Sequence, residues 1–286
     1  MKTILRRASK EVIIEHGRPT VILGERINPT GKSKLAAALA ADDLEIVRQE
    51  ALAQVAAGAD ILDINVGVAG VDEVALLPKV VKLVMETVDV PISIDTGNAV
   101  ALEAALAVHK SLNLTGKALV NSVNGEDVNL TKVLPLVAEY GAAVIGLCMD
   151  NDGIPNTSEG RLDVAQKILR RAEEHGIPPD DILIDCLAMT VGADSKAGWI
   201  TLNAIRMVRD TLGVNMTLGV SNVSFGLPER EVINIAYLVL AIANGLNCLI
   251  VDAAKVAPHI LAADLLLGCD ENAMRYIKAY RRRKNS

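Results

Sequence analysis

Short apolar runs alternate along this chain with longer stretches in which apolar residues recur at helical spacing. The runs predict strands near 20–25, 60–65, 91–95, 118–122, 142–148, 181–186, 215–221 and 247–252. The stretches between them predict helices near 42–57, 74–88, 98–109, 129–139, 160–174, 199–211 and 229–243, with a last one near 259–267. Glycines stand where these helices stop, in AAGAD, EYGAA, EHGIP and ANGLN, because a helix C-cap needs positive φ. Eight strands alternating evenly with eight helices predict a closed (β/α)8 TIM barrel. An open doubly wound sheet fits less well, since no G-x-G-x-x-G turn follows the first strand. No Pro/Gly/Ser linker divides the chain, so one domain over residues 1–286 is expected. Residues 1–19 suit a lid or a hairpin across the barrel bottom.

Six of the apolar runs stop at an Asp or Asn: VILGERIN, ILDINVG, ISIDTGN, ALVNSVN, ILIDCLA and TLGVSNV. Their polar ends include Asn28, Asp63 with Asn65, Asp95, Asn121, Asp185 and Asn222. A carboxylate or amide at the end of a buried strand must meet water, a ligand or a partner. In a (β/α)8 barrel such ends converge on one mouth, which is where these folds place their active sites. The alternative for any one of them is an N-cap for the helix that follows.

Composition supports the barrel and narrows the chemistry. Half of the residues are hydrophobic, almost all of them branched aliphatics and Ala, as a helix-covered parallel sheet requires. One Phe, one Trp and four Tyr are too few for a base-stacking platform. A net charge of −6 gives no drive toward nucleic acid or anionic lipid, and the basic RRRKNS end reads as a solvated terminus. With no signal-like run and no stretch of about 20 apolar residues, a soluble, cytoplasmic protein is expected. Cys148, Cys186, Cys248 and Cys269 lack metal or disulfide spacing, and the first three sit in strand-like runs as small buried thiols.

Neither a P-loop, nor a G-x-S-x-G elbow, nor H-E-x-x-H is present. His16, His109, His175 and His259 fall in helices or connections and read as surface or helix-end residues. No lysine lies inside a strand, which disfavours Schiff-base chemistry; Lys255, just past the last strand, reads as a solvated cation. What remains is a set of carboxylates and carboxamides. Asp95, Asn121, Asp185 and Asn222 form an edge of acceptors and donors that suits a flat heterocycle such as a pterin. One carboxylate can take two parallel N–H bonds, from the 2-amino group and N3.

GERINPTG at 24–31, ISIDTGN at 92–98, LVNSVN at 119–124, LIDCLA at 183–188 and LGVSNVSF at 218–225 carry a resemblance. With ADILDINVG at 59–67 and AAVIGLCMDNDGIP at 142–155, they resemble, in order over nearly the whole chain, the pterin-binding methyltransferase family. That family includes methyltetrahydrofolate:corrinoid protein methyltransferases and the folate domain of cobalamin-dependent methionine synthase. The resemblance implies a dihydropteroate-synthase-like TIM barrel in which Asp95, Asn121 and Asp185 hold the pterin ring. It places Asn222 against N5, where the methyl moves, with Asp185 in the same catalytic network. Gly219 and Ser221 would let backbone approach the ring, and Asn28 would join the folate site.

The role of Asn222 also has a physical basis. A methyl on a tertiary amine departs poorly unless N5 is protonated, because otherwise the leaving group is an amide anion. The enzyme must favour N5–H⁺ more in the transition state than in the ground state. The Asn222 oxygen can accept from N5–H⁺, in a network with Asp185 and water that draws the proton from solvent.

Dihydropteroate synthase shares this barrel type, but its pattern needs a basic residue in the strand-seven turn and a Lys in the loop after strand six. Here those positions read Asn222 and CLAMTVGAD. Cys186 after Asp185 replaces the Pro common in the corrinoid/iron–sulfur type, which points toward methylamine, betaine or O-demethylation systems; it reads as a packed thiol rather than a nucleophile. The chain has no D-x-H-x-x-G corrinoid motif. The resemblance therefore implies a separate corrinoid protein docking over the mouth, tetrahydrofolate or methyltetrahydrofolate as substrate, no intrinsic metal, and a homodimer. Two other readings remain: a zinc-dependent thiol methyltransferase, which would need a His and Cys cluster, and a non-catalytic folate-binding barrel.

Overall fold

The chain begins with an antiparallel hairpin, β1 (Lys2–Arg7) and β2 (Lys10–Glu15), paired from Lys2 opposite Glu15 to Arg7 opposite Lys10. Beyond it, in this computed structural model, eight parallel strands close into a barrel; residues 1–285 are described. They are β3 (Val21–Ile27), β4 (Ile61–Ile64), β5 (Ile92–Asp95), β6 (Leu119–Asn124), β7 (Ala143–Leu147), β8 (Ile182–Asp185), β9 (Asn215–Gly219) and β10 (Cys248–Val251), and β10 pairs back onto β3. All eight expected barrel strands are present, and the expected closed (β/α)8 architecture is the observed one.

Around them lie α1 (Ser33–Ala40), α2 (Glu45–Ala57), α3 (Glu73–Thr87), α4 (Ala99–Leu112), α5 (Asp127–Tyr140), α6 (Ser158–Glu174), α7 (Ala197–Leu212), α8 (Arg230–Ala243), α9 (Ala253–Leu266) and α10 (Met274–Asn285). Polar residues at strand exits start several of them: Asp72, Asn98, Thr157 and Asp252 each accept from a backbone N–H of the first turn. Gly58 and Gly141 end α2 and α5 with φ of 109° and 62°, as the glycine punctuation requires. No helix among the described residues is long and apolar enough to cross a membrane.

Alternation along each strand divides the apolar residues in two. Leu62, Ile64, Ile92, Ile94, Val120, Ile182 and Ile184 pack outward with the helices in one large core. Leu23, Ile61, Leu119, Ile145 and Leu183 point inward and form a second core with Leu5, Val12 and Ile14 of the hairpin. The hairpin therefore plugs the amino end of the barrel. Asn215 fastens it, its Nδ2 donating to Thr3 Oγ1 and to the Ile14 carbonyl, each at 2.9 Å. The His16 ring is held at 2.8 Å from the Val214 carbonyl.

Three local features go beyond the sequence expectations. Helix α1 was not anticipated: eight residues with only Leu35 and Leu39 buried are too few to display a period. The basic end is solvated as expected but helical, because Arg281–Lys284 continue α10 with exposed side chains; Ser286 lies outside the described residues. His109 stands at a helix end, in the last turn of α4, but is buried there beside Asn113 rather than on the surface, and burial pushes its imidazole down to about 4.

Candidate active site

On three strands the inward face of the barrel turns from apolar to polar two residues further along, and on the fourth from a serine to a carboxylate. Asp63 follows Ile61, Asp95 follows Ser93, Asn121 follows Leu119 and Asp185 follows Leu183, and each pair shares one face of its strand. The strand registers set Asp63 opposite Ser93, Asp95 opposite Asn121, and Leu147 opposite Asp185. The strand-end residues named from the sequence thus converge on the carboxyl-end mouth.

Their electrostatics follow from crowding in a dry barrel. Asp63 is almost fully buried, and burial together with the charge of Asp95 pushes its carboxyl up to about 8. The Asn121 Nδ2 lies 3.3 and 3.4 Å from its two oxygens, donating to both. Asp95 is pushed up to about 6 by burial, opposed by a hydrogen bond from Asn65. Asp185 is likewise pushed up to about 6 by burial, against backbone N–H bonds from Leu187 and Gly219; the Leu187 bond is 2.6 Å. With Asp63 and Asp185 buried and Asp95 half-buried, the three carboxyl groups in one mouth carry fewer than three charges near neutrality.

The rim is less dry. Gly219 ends β9, and a 3-10 turn over Val220–Ser224 carries Ser221 and an exposed Asn222. A Cβ added to Gly219 would meet only the Asn222 Nδ2, at 3.6 Å, so the space before it opens toward the mouth. Arg230 braces this turn, donating to the Ser221 carbonyl at 2.8 Å and to Ser224 Oγ at 3.0 Å, with its guanidinium 4.5 Å from the centroid of the Phe225 ring. Among the described residues Asn222 makes no hydrogen bond to Asp185. Asn28, at the end of β3, uses its Oδ1 to accept from Thr30 N at 2.9 Å. Lys255 is exposed on α9, as expected.

Three contributors escaped the sequence reading. Glu25, between the glycine and asparagine of GERIN, is raised by burial and held partly in check by Lys32. Arg26 pairs with Glu50 at 3.1 Å and approaches Asp252 at 3.8 Å. Both lie on a cleft of about 440 Å³ beside Ser221 and Asn234. Charged residues inside an apolar strand run were the available signal. Arg161 offered none: it sits in α6, yet its fully buried guanidinium donates to the carbonyls of Pro155, Cys186 and Leu187 and to Thr201 Oγ1. It thereby ties down the loop that leaves Asp185. Cys186 itself is buried with the outer, helix-facing core, as a packed thiol is expected to be.

The profile of the pterin binding enzymes matches residues 24–252 of this chain, from the glycine of GERIN to Asp252. The chain belongs to the pterin-binding enzyme family. A methylcorrinoid:tetrahydrofolate methyltransferase of Eubacterium limosum is 30% identical over 272 residues, covering 92% of this chain and 97% of that protein. A methionine synthase of Mycobacterium leprae is 33% identical over 255 residues, which are 84% of this chain but only 21% of that much longer protein. Kinship over the whole chain is thus with methyltransferases, and this pterin-binding enzyme is one of them. Among solved structures, a dihydropteroate synthase of Clostridium difficile in the presence of pteroic acid superposes with a TM-score of 0.68 at 23% identity, covering 88% of this chain and 98% of that one. That likeness speaks for the barrel alone.

Proposed function

We propose that this enzyme transfers a methyl group between N5 of tetrahydrofolate and the cobalt of a corrinoid carried by a separate protein. The observation that carries the proposal is the set of inward side chains Asp95, Asn121 and Asp185 near the carboxyl ends of their strands, Asp95 opposite Asn121, with an uncharged, exposed Asn222 in the turn after β9. With its Nδ2 turned to Asp63, Asn121 presents its oxygen to the mouth, so all three side chains offer acceptors. A reduced pterin is rich in N–H donors, and this set of acceptors fits it. Asp185 suits the paired 2-amino and N3 protons. Gly219 leaves room for the ring to approach the backbone, beside Ser221.

A corrinoid docked at the mouth supplies the centre that takes or gives the methyl. The chain's own residues manage the proton. Asn222 accepts a hydrogen bond from N5–H⁺ and so lowers the barrier to breaking the N5–methyl bond, while Asp185, raised to about 6, and water provide the route to solvent. Asn222 also argues against pyrophosphate release, which would call for a cation at that position. Forward and reverse transfer share one transition state, so the residues serve both directions.

The test mixes the protein with methyltetrahydrofolate and a reduced corrinoid, or with tetrahydrofolate and methylcobalamin, and follows the cobalt spectrum. The proposal expects protein-dependent conversion in at least one direction. Tetrahydrofolate binding with no spectral change in either direction would reduce the chain to a folate-binding barrel.

A further inference from the structure

Resting on the pterin reading above, we propose that Asp63 is a positioning residue that fixes the orientation of the Asn121 carboxamide and thereby turns the Asn121 oxygen toward the bound ring. A carboxamide has two faces of similar shape and opposite polarity, and rotation by half a turn exchanges acceptor for donor. Against a ring edge of N–H groups, the wrong orientation sets donor against donor. Something below the ligand must choose.

Asp63 lies on the neighbouring strand but one, inward-facing and 2% exposed, where no bulk water competes for its partners. Its two oxygens straddle the Asn121 nitrogen at 3.3 and 3.4 Å. In its acid form the carboxyl group still has a carbonyl oxygen to accept from Asn121. Its O–H can then turn toward Ser93, the residue paired with Asp63 in register, whose buried hydroxyl is unpartnered. Asp63 therefore has no need of the ligand. Its chemistry is complete within the barrel floor, and its effect on the folate passes through Asn121.

Two substitutions separate this role from packing. Asp63→Leu keeps the branched outline of the side chain, with bulkier methyl ends, but removes the acceptor. Asp63→Asn keeps the shape and one acceptor oxygen, with an NH2 that can face Ser93 and Asp95. Titration calorimetry with tetrahydrofolate should show Asp63→Leu weakening binding about ten- to a hundredfold, the scale of one misdirected hydrogen bond in a dry site. Asp63→Asn should stay within about threefold of the wild type. In methyl transfer, KM for the folate should follow the same order while kcat at saturation changes little. Wild-type affinity in the Leu variant, or an equal loss in both variants, would overturn the proposal. Should the Leu variant not fold, the Asn121 side-chain amide protons of the wild-type protein decide by NMR: protection from exchange before folate is added supports Asp63 as the anchor, and free exchange overturns it. A wild-type protein that binds no tetrahydrofolate would overturn the pterin reading and this proposal with it, an outcome distinct from either variant result.

Discussion

At the amino end of the barrel the inward residues are Leu23, Ile61, Leu119 and Leu183, sealed by Leu5, Val12 and Ile14 of the hairpin. Two residues later the same strands present Asp63, Asn121 and Asp185 to the mouth. The apolar end gains by excluding water. The polar end loses by it: burial is the first cause of the raised carboxyl of Asp63, Asp95 and Asp185 alike. A protein retains such a cost where it serves a ligand, directly at Asp95 and Asp185 and through Asn121 at Asp63. The contrast assigns stability to one end of each strand and chemistry to the other.

The largest effect that could break this division is at the rim. Asn222→Ala should slow single-turnover methyl transfer about 10²–10³-fold while weakening folate binding only modestly, because its bond to N5–H⁺ strengthens in the transition state. Rapid-mixing spectroscopy at saturating folate measures it, and an equal loss in rate and affinity would remove Asn222 from the chemistry. At the opposite end, Leu5→Ala empties a fully buried site and should destabilise the fold by about 2–4 kcal/mol in urea unfolding. Folate affinity should not change. A large affinity loss there would mean that the plug shapes the mouth.

A smaller effect reverses the usual sign of substitution. Asp185 titrates near 6 in the folded chain against 3.8 for an ordinary aspartate, so the folded state holds its proton more tightly than the unfolded state. Its contribution is intact below the unfolded value and is lost as pH rises from about 4 to about 6. Asp185→Asn should therefore raise the thermal midpoint of the ligand-free protein by a few degrees at pH 7–8 and leave it nearly unchanged at pH 4. A lower midpoint at pH 8 would show that the Leu187 and Gly219 bonds outweigh burial. The least effect is expected at Asn28, whose oxygen already accepts from Thr30 N. Asn28→Ala should weaken tetrahydrofolate binding by less than about threefold, as read by calorimetry.

This division was legible in the sequence to the extent that it is periodic. Apolar runs ending in Asp95 and Asp185 could be read as strand ends because both the run and its interruption are local. The GERIN and LGVSNVS turns could be matched as words. Pairings across the barrel could not be read. Nothing local tells that Asn121 leans on Asp63, 58 residues earlier, or that Arg161 in α6 anchors the loop after Asp185. Residues 1–19 suited a lid or a hairpin across the bottom, and the hairpin's bond to Asn215, 212 residues from Thr3, appears only once the strands are closed. Contacts of long sequence separation leave no periodic trace.

The central claim, that the carboxyl-end side chains hold a reduced folate while the amino end holds the fold, meets its most direct test in one calorimetric comparison. Tetrahydrofolate is titrated into the wild-type protein, Asp185→Asn and Leu5→Ala under identical conditions. The account predicts saturable binding of one folate per chain, weakened at least about tenfold by Asp185→Asn and untouched by Leu5→Ala. Absence of saturable binding to the wild type, or equal weakening in both variants, would contradict it.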